Sequence, residues 1–117
     1  MPLPTEIHLR RAEKTLEITF DDGSRFILPA EYLRVESPSA EVQGHSPEQK
    51  QIVPGRRHVG VIQIEPVGNY AIRLTFDDLH DTGIYSWDYL YGLGQEQTDR
   101  WQRYLEALAS RGLSRDP

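Results

Sequence analysis

YAIRLTFDDLHDTGIYSWDYL, residues 70–90, contains the signals for a strand, a polar turn, a short return strand and the start of a helix. Apolar side chains alternate with smaller or polar ones in its first part, at Tyr70, Ile72, Leu74 and Phe76. This alternation predicts a strand with one face in the core. Residues 77–82 predict a turn, and Gly83-Ile84-Tyr85 predicts the return strand. Ser86 is a favourable N-cap for a helix through Trp87 to Leu90.

A second segment of the same kind lies at residues 15–34. Its apolar residues alternate on both sides of a turn, at Leu16, Ile18 and Phe20 and then at Phe26 and Leu28. The turn, Asp21-Asp22-Gly23-Ser24, favours a hairpin. Pro29 predicts the start of a short helix over residues 30–34. Residues 6–11 add a third, edge strand through Ile7 and Leu9.

The two segments share the tetrapeptide TFDD, at residues 19–22 and 75–78. Their helical starts are also similar, Glu31-Tyr32-Leu33 and Asp88-Tyr89-Leu90, although the spacing differs by one residue. One explanation is a duplicated unit of strand, turn, strand and short helix, in which each copy is too small to bury its own apolar face. The other is independent convergence on aspartate-rich turns, which are common.

Residues 36–58 have no sustained helical or strand period and are rich in Ser, Pro, Gly, Glu and Gln. This composition predicts a long exposed loop, and such loops tend to be mobile, functional or remnants of an older site. The β-branched residues that follow, 59–65, predict a mostly buried strand that ends at Pro66.

The strongest helical pattern lies near the C-terminal end. Its apolar face consists of Trp101, Tyr104, Leu105 and Leu108. Glu96 with Arg100, and Asp99 with Arg103, can pair one turn apart on the outer face. We expect a helix over residues 95–111 that packs on the sheet, separated from the preceding helix by Gly92 and Gly94. Gly112 suits a left-handed stop, and residues 113–117 are expected to form a frayed tail.

Composition limits the classes of function. A chain of 117 residues fits one domain, residues 1–117, with a single core. The absence of cysteine excludes disulfides, thiolate nucleophiles and cysteine-bound metal clusters. No signal peptide or membrane span is visible, so we expect a cytoplasmic protein. A net charge of -5 opposes binding to nucleic acid. The one basic stretch, Lys50, Arg56 and Arg57, is either solvated or faces an acidic partner.

Residues 76–90, together with Leu33-Arg34 leading into Ser37-Pro38-Ser39, resemble the gamma-butyrobetaine hydroxylase-like N-terminal domain family. The resemblance covers residues 7–94 and leaves the C-terminal helix unmatched. In that family the domain precedes the catalytic domain of iron- and 2-oxoglutarate-dependent hydroxylases, and it also occurs alone in bacteria. It is fused to some P-loop carriers of iron–sulfur clusters. The resemblance thus implies a free-standing bacterial member of unknown function.

The hydroxylase members of the family bind zinc through a Cys-Pro-Cys-x-x-Cys stretch and one distant histidine. The resemblance places Ser37, Ser39 and Val42 at the cysteine positions and His80 at the histidine position. Serine hydroxyls ionise too reluctantly to replace thiolates, and valine has no donor atom. We therefore expect a degenerate zinc site with no bound metal, replaced by apolar packing and loop hydrogen bonds.

His80, which lies beside Asp78 and Asp81, has several interpretations. It can be a remnant ligand, a general base or a solvated turn residue, and the last is favoured because no metal trio or nucleophile lies nearby in sequence. A site in which His45 and His58 converge with His80 is a further alternative. The His-x-Asp or His-x-Glu motif of the hydroxylases does not occur here.

Aromatic residues are dense next to these acidic positions, at Tyr85, Trp87, Tyr89 and Tyr91. Exposed Tyr and Trp are common interface anchors, so one interpretation is a partner-binding surface made of Asp78, His80, Asp81, Tyr85, Trp87 and Tyr91. The other is that the rings complete the core, which suits Trp87 and Tyr89 best.

The sequence therefore predicts an α+β fold. Its small antiparallel sheet consists of two hairpin-like units, with short helices and a C-terminal helix packed on the sheet. We expect a non-enzymatic binding or adaptor module with a protein partner and no cofactor, linked through the family to metalloprotein or iron–sulfur protein maturation. The alternative is a metal-binding or catalytic domain centred on His80.

Overall fold

The computed structural model describes residues 2–117, which form six β-strands and four α-helices. The strands are β1 (Pro4–Arg10), β2 (Thr15–Phe20), β3 (Arg25–Pro29), β4 (Val61–Val67), β5 (Ala71–Phe76) and β6 (Ile84–Ser86). The helices are α1 (Ala30–Val35), α2 (Ala40–Gln43), α3 (Trp87–Gln95) and α4 (Gln97–Ser110), and a 3-10 turn spans Pro47–Gln49. The predicted α+β class is confirmed.

Two antiparallel sheets of three strands make up the β structure. Strand β2 lies at the centre of the first sheet, between β1 and β3, and β5 lies at the centre of the second, between β4 and β6. Each predicted hairpin unit thus forms its own sheet. The expected edge strand at residues 6–11 is β1, and the strand expected at residues 59–65 is β4. The expectation that this second strand is mostly buried and ends at Pro66 is wrong, because β4 lies at the edge of its sheet, continues to Val67 and buries only Val61.

The inner faces of the two central strands supply most of one core. These two strands contribute Leu16, Ile18 and Phe20 from β2 and Ile72, Leu74 and Phe76 from β5. Leu33 of α1 and Leu90 of α3 are fully buried in the same cluster. Neither unit could enclose this apolar surface alone, because a three-stranded sheet with one short helix leaves most of its apolar face open.

The two units repeat each other in the geometry of their edge strands. The ladder shifts register between Pro4 and Glu6 in β1 and between Val61 and Gln63 in β4. In both units the first aspartate of the turn donates its backbone N–H to the chain just before the edge strand, from Asp21 to Leu3 O at 2.8 Å and from Asp77 to Gly60 O at 2.9 Å.

The turns of the two units match as well. The second aspartate accepts a backbone N–H two residues ahead, from Ser24 to Asp22 Oδ1 at 2.9 Å and from His80 to Asp78 Oδ1 at 3.1 Å. The residue between them has positive φ in both turns, +87° at Gly23 and +73° at Leu79. Such matched bulges, bonds and dihedrals favour duplication over convergence, and they place His80 where the first unit has Ser24.

Two tyrosines join the helices of the units reciprocally. Tyr32 and Tyr89 are each the third residue of their helix, α1 and α3. The Tyr32 hydroxyl donates to Leu93 O at 2.7 Å, and the Tyr89 hydroxyl donates to Glu36 O at 2.5 Å. Each acceptor is the seventh residue counted from the start of its helix, so the two bonds are related by the internal repeat.

Gly92 and Gly94 do not end the third helix, contrary to expectation. Helix α3 continues through both to Gln95. A Cβ at Gly94 would lie 2.3 Å from Cγ of the Phe26 ring, whereas a Cβ at Gly92 would lie 3.7 Å from its nearest neighbour, the Glu96 carboxylate. Gly94 therefore allows β3 and α3 to approach closely, which outweighs its low helix propensity.

The expected long exposed loop is wrong for its first part. Glu36, Ser37, Ser39 and Val42 are all buried. Ser39 caps α2 by accepting the Glu41 backbone N–H, and the Gln51 N–H donates to Val42 O at 2.6 Å. A segment whose polar groups find partners inside the fold can be buried without an apolar period, which is why the composition was misleading.

Helix α4 is present as predicted, and Glu96 pairs with Arg100 at 3.2 Å. Its Tyr104 and Leu108 form a second small cluster with Val35, while Trp101 also reaches the main core. With 14 residues and a charged outer face, α4 is the longest helix in residues 2–117, and none of the described helices suits a bilayer span.

The segment after α4 is ordered against the domain, so the expectation of a frayed tail is wrong. Gly112 has the predicted left-handed φ, +65°. Beyond it, Ser114 O accepts the Gly55 N–H and Arg115 O accepts the Arg57 N–H, both at 3.0 Å. Backbone hydrogen bonds between residues far apart in sequence hold this segment, and no local sequence pattern predicts them.

Candidate functional site

His80 lies at the end of the second turn and is buried, with 6% of its surface exposed. Its Nε2 is 2.9 Å from Ser37 Oγ, and its Nδ1 is 3.3 Å from Glu41 Oε2. The favoured interpretation of a solvated turn histidine is therefore wrong, because the segment from Ser37 to Gln43 folds over the ring.

The positions that the family resemblance assigned to a degenerate zinc site do lie together. Ser37 Oγ accepts the Ser39 backbone N–H at 3.2 Å, and Ser39 Oγ is 2.7 Å from Thr82 Oγ1. Val42 is buried, and its N–H donates to Ser39 O at 3.0 Å. Hydrogen bonds thus connect the chain around Ser37 to the chain around His80.

This arrangement does not fit a zinc ion. Only His80 and Glu41 offer a strong donor, since neutral serine hydroxyls and valine do not. Within residues 2–117, no three His, Asp or Glu side chains converge in a way that could hold a metal. The alternative in which His45 and His58 join His80 is wrong, because both are exposed and belong to no such group.

The protonation state of His80 follows from its surroundings. Burial, and then the positive charge of Arg34, lower the pKa of His80, while Glu41 and Asp78 oppose this shift. The imidazole is therefore neutral near pH 7. With Nδ1–H directed at Glu41, the Nε2 lone pair accepts the Ser37 hydroxyl proton.

Ser37, His80 and Glu41 thus follow the order of a serine hydrolase triad, hydroxyl to imidazole to carboxylate. However, Ser37 is completely buried. A Cβ on Gly83 would lie 2.6 Å from Ser37 Oγ, so the chain at Gly83 closes directly over the hydroxyl. A substrate carbonyl has no space beside this oxygen, and the trio acts as a structural clasp on the loop. Glu41 was not among the site residues predicted from the sequence, although it lies between the Ser39 and Val42 positions.

Asp78 is occupied by internal ion pairs. Its Oδ2 accepts Arg34 Nε at 2.8 Å and Arg56 Nε at 2.7 Å. Burial alone would raise the pKa of Asp78, but hydrogen bonds from the His80 N–H and from both arginines bring the pKa below its usual value. Asp78 and Asp81 are both exposed residues, but the paired side chain of Asp78 is only 20% exposed.

The aromatic residues of the predicted partner surface separate in the structure. Tyr85 is completely buried, and its hydroxyl donates to Leu33 O at 2.5 Å, so its assignment to an exposed surface is wrong. Tyr85 is the middle residue of β6, and its side chain is buried in the main core like that of the equivalent Leu28. Tyr91 is half-buried, with its ring 5.0 Å from Phe20 and its hydroxyl 2.6 Å from Asp22 Oδ2.

Among these aromatic residues, Trp87 borders a surface cleft. The cleft, of about 270 Å³, is lined by Leu3, Asn69, Tyr70, Ser86, Trp87 and Asp88. We call these six residues the Tyr70–Trp87 surface. Tyr70 is 57% exposed and Leu3 is 49% exposed, while the Trp87 indole donates Nε1–H to Asn69 O at 2.9 Å.

Tyr70 was expected on the inner face of its strand. Strand β5 instead begins at Ala71, and Tyr70 belongs to the preceding turn, where its N–H bonds Val67 O. Its ring packs over the backbone at Gly68, as the 2.9 Å distance from a Cβ built there indicates. The apolar alternation begins at Tyr70, one residue before the strand itself. For this reason the sequence pattern did not show that the Tyr70 ring is exposed.

The basic stretch is used inside the fold. Lys50 Nζ bonds Glu36 Oε1 at 2.9 Å, Arg56 pairs with Asp78, and Arg57 Nε bonds Asp116 Oδ1 at 2.6 Å. Each of these three cations therefore pairs with a carboxylate of the same chain.

Comparison with known proteins places these features in a family context. The family model described as gamma-butyrobetaine hydroxylase-like, N-terminal, matches residues 7–91. An NMR solution structure is 48% identical over all of this chain and 92% of that chain, with a TM-score of 0.86. A crystal structure of a protein of unknown function in the DUF971 family, from Acidithiobacillus ferrooxidans, is 41% identical over 78% of this chain and 91% of its own, with a TM-score of 0.66. No curated protein matches significantly.

Proposed function

Because the chain belongs to the gamma-butyrobetaine hydroxylase-like N-terminal family, we propose that it functions as a non-enzymatic protein-binding module. The observation that carries this proposal is the Tyr70–Trp87 surface, where two large aromatic side chains and Leu3 border one cleft. Tyrosine and tryptophan supply much of the binding energy at protein interfaces, because they bury a large area at a low cost in side-chain entropy.

The internal repeat supports this proposal. Asp88 and Glu31 are both the second residue of their helix, in α3 and α1. In the first unit that helix start is covered, since Ala30 and Glu31 are buried and Arg115 pairs with Glu31. In the second unit Asp88 is exposed and Trp87 is half-buried. One unit is covered by the protein's own C-terminal segment, and the equivalent end of the other unit is open to a partner.

The chemistry of the surface suggests what the partner presents. Leu3, Tyr70 and Trp87 would contact an apolar side chain, and Asp88 at the rim would favour a Lys or Arg beside it. Family members fused to iron–sulfur carriers suggest that the partner takes part in metalloprotein or iron–sulfur protein maturation, in the cytoplasm. This link rests on family analogy.

The proposal is tested by affinity capture from a native lysate with wild-type protein, Tyr70→Ser and Ile27→Ser. Ile27 is a matched control, because it is 51% exposed and lies on the outer face of the first sheet. We expect a stoichiometric partner that is retained by Ile27→Ser and lost by Tyr70→Ser. Equal recovery by all three proteins would argue against this surface.

A Trp87→Ala variant extends the test, with Tyr91→Ala as its comparison. Trp87 also bonds Asn69 O and packs against the core, so the fold of this variant must first be checked by circular dichroism. Tyr91 packs against Phe20 and Phe26 rather than bordering the cleft. A folded Trp87→Ala should lose the partner, while a folded Tyr91→Ala should keep it.

A second candidate is a metal-binding or catalytic domain centred on His80, and the Ser37–His80–Glu41 order is the observation that favours it. A fluorophosphonate probe, which labels an activated serine, tests the catalytic form. Metal analysis of wild type and His80→Ala tests the metal form. Labelling that depends on Ser37, or stoichiometric metal that is lost in His80→Ala, would reverse the order of the two candidates.

A further inference from the structure

The segment after α4 binds to the domain as an extended peptide binds to a receptor. The Arg115 guanidinium donates to both carboxylate oxygens of Glu31, from Nη2 to Oε1 at 2.6 Å and from Nε to Oε2 at 2.8 Å. The Glu31 side chain is only 7% exposed. A fork of two parallel hydrogen bonds on a buried carboxylate is the geometry by which proteins distinguish arginine from lysine.

An aromatic face completes the arginine contact. Arg115 Cζ lies 5.2 Å from the centroid of the Trp101 ring. Guanidinium groups stack favourably on indole, because the electron-rich ring face attracts the delocalised cation. Glu31 from α1 and Trp101 from α4 therefore form a pocket for one arginine side chain.

Backbone contacts fix the segment on either side of this pocket. Gly55 and Arg57 donate their N–H groups to the carbonyls of Ser114 and Arg115, both at 3.0 Å. Arg57 also pairs with Asp116 at 2.6 Å. Gly55 has a φ of +72°, a left-handed backbone conformation that favours glycine. Main-chain bonds that are independent of sequence, together with one specific side-chain pocket, are typical of peptide recognition.

Space for additional residues lies next to the arginine. A cleft of about 570 Å³ borders Arg115 and Trp101 and continues along α4 past Gln97, Thr98 and Gln102. Its side chains there are polar and uncharged, which suits a peptide with few charges beyond its arginine.

The arginine pocket of Glu31 and Trp101, together with the backbone at Gly55 and Arg57, forms one groove on the surface. We propose that this groove is a recognition site for an extended segment of a partner protein in which an arginine is followed by an acidic residue. Residues 114–116 occupy the groove in competition with that partner. Charge complementarity selects this occupant, since Glu31 matches the arginine and Arg57 matches the acidic residue. The groove is separate from the Tyr70–Trp87 surface, because the residues lining the two clefts do not overlap. The two proposals can therefore fail independently.

The tethered segment raises the concentration of partner needed. Only Arg111, Gly112 and Leu113 lie between Ser110, the last residue of α4, and Ser114. A short tether holds its ligand at an effective concentration of about millimolar or above, so a separate peptide competes poorly with it. Removal of the Arg115 side chain should relieve this competition.

The test uses full-length Arg115→Ala labelled with 15N and three peptides. LSRDP copies residues 113–117, while LSADP and LSKDP replace its arginine. The chain has two tryptophans, so two indole signals report on two sites. We expect LSRDP to shift the Trp101 indole signal saturably and to leave that of Trp87 unchanged. LSKDP should bind at least about 10-fold more weakly, because lysine cannot form the fork, and LSADP should not bind.

The same experiment contains the results that would overturn the proposal. Absence of a Trp101 shift with LSRDP up to about 10 mM, above the effective concentration of the tether, would mean that the segment only stabilises the fold. Equal shifts with LSADP would remove the arginine specificity. A wild type that is dimeric in light scattering, with monomeric Arg115→Ala, would assign the groove to a second copy instead. If Arg115→Ala does not fold, Asp116→Ala, which removes only the exposed outer contact, is titrated in its place.

Discussion

Two glycines of one helix should respond oppositely to the same substitution. Gly92 and Gly94 both lie within α3, and neither has positive φ. Glycine in a helix interior costs about 1 kcal/mol relative to alanine, so Gly→Ala is favourable wherever a methyl group fits. At Gly92 the nearest atom to a new Cβ would be a Glu96 carboxylate oxygen at 3.7 Å, which is ordinary contact. We expect Gly92→Ala to stabilise the fold by about 0.5–1 kcal/mol.

At Gly94 the new methyl group would overlap the Phe26 ring. Three ring carbons would lie between 2.3 and 2.5 Å from the Cβ, whereas carbon atoms pack at about 3.5–4.0 Å. The ring is held between Phe20 and Tyr91, with centroid distances of 6.0 and 5.6 Å, so it cannot turn aside freely. Overpacking of this kind costs about 3 kcal/mol. After the helix gain of about 1 kcal/mol, Gly94→Ala should lose about 2 kcal/mol.

Urea unfolding followed by tryptophan fluorescence measures both changes, because a domain of 117 residues is expected to unfold in two states. Phe26→Leu provides the internal check. Gly94→Ala should cost less in the Phe26→Leu background, with a coupling of about 1 kcal/mol, whereas Gly92→Ala should be unaffected by it. Midpoints that move in the same direction for both glycine variants, or no coupling to Phe26, would refute this reasoning.

Three further predictions concern buried polar groups. Because burial and Arg34 lower the pKa of folded His80 below the 6.5 of an ordinary histidine, the unfolded chain binds more protons between those two values. The stability that neutral His80 contributes is thus complete above about pH 6.5 and is lost as the pH falls toward the folded pKa. Midpoints of urea unfolding measured from about pH 7.5 to about pH 5 will show this loss. Tyr32→Phe and Tyr89→Phe should each cost about 1–2 kcal/mol in urea unfolding, since each leaves a buried carbonyl without its donor. Arg115→Ala should cost about 2 kcal/mol, less than for a fully buried ion pair because its side chain is 29% exposed.

Each of these has a matched control. His80→Gln should remove the extra loss of stability at acidic pH, while His45→Gln, at an exposed histidine, should not. Tyr70→Phe removes the hydroxyl of an exposed tyrosine and should be nearly neutral. Arg57→Ala breaks an exposed pair and should cost under about 0.5 kcal/mol. Comparable effects in a variant and its control would contradict the burial argument in that case.

The two similar units differ in how much of their equivalent ends is exposed. Both units present the same helix start above the same kind of sheet, yet α4 and the segment after it cover only the first. A protein built from two similar halves thus has one end filled by its own chain and one end available. The same physical need, covering the exposed end of a small unit, underlies both binding proposals.

The family resemblance placed Ser37, Ser39, Val42 and His80 in one neighbourhood, and the structure brings them together. It could not show that Glu41 approaches the other ring nitrogen of the imidazole, because the three cysteine positions do not include that residue. Nor could it show that the chain at Gly83 closes over Ser37. The motif was sufficient to infer that these residues lie close together, whereas access to the Ser37 hydroxyl depends on how the backbone just before β6 packs over it.

Local pattern was sufficient for the strands, the turns and the periodic helix α4. The alternation of apolar residues in strands and their three- to four-residue spacing in helices reflect which side of an element packs on the core. Both patterns can be recognised within a few residues. The tetrapeptide TFDD also pointed correctly to the repeat. Tertiary structure alone decided the burial of the segment from Glu36 to Val42, the continuation of α3 through Gly94, and the docking of Arg115 on Glu31. In each case the partner is distant in sequence, and the stabilising contact is a hydrogen bond, a close approach or an ion pair. None of these contacts produces a periodic pattern of residues in the sequence.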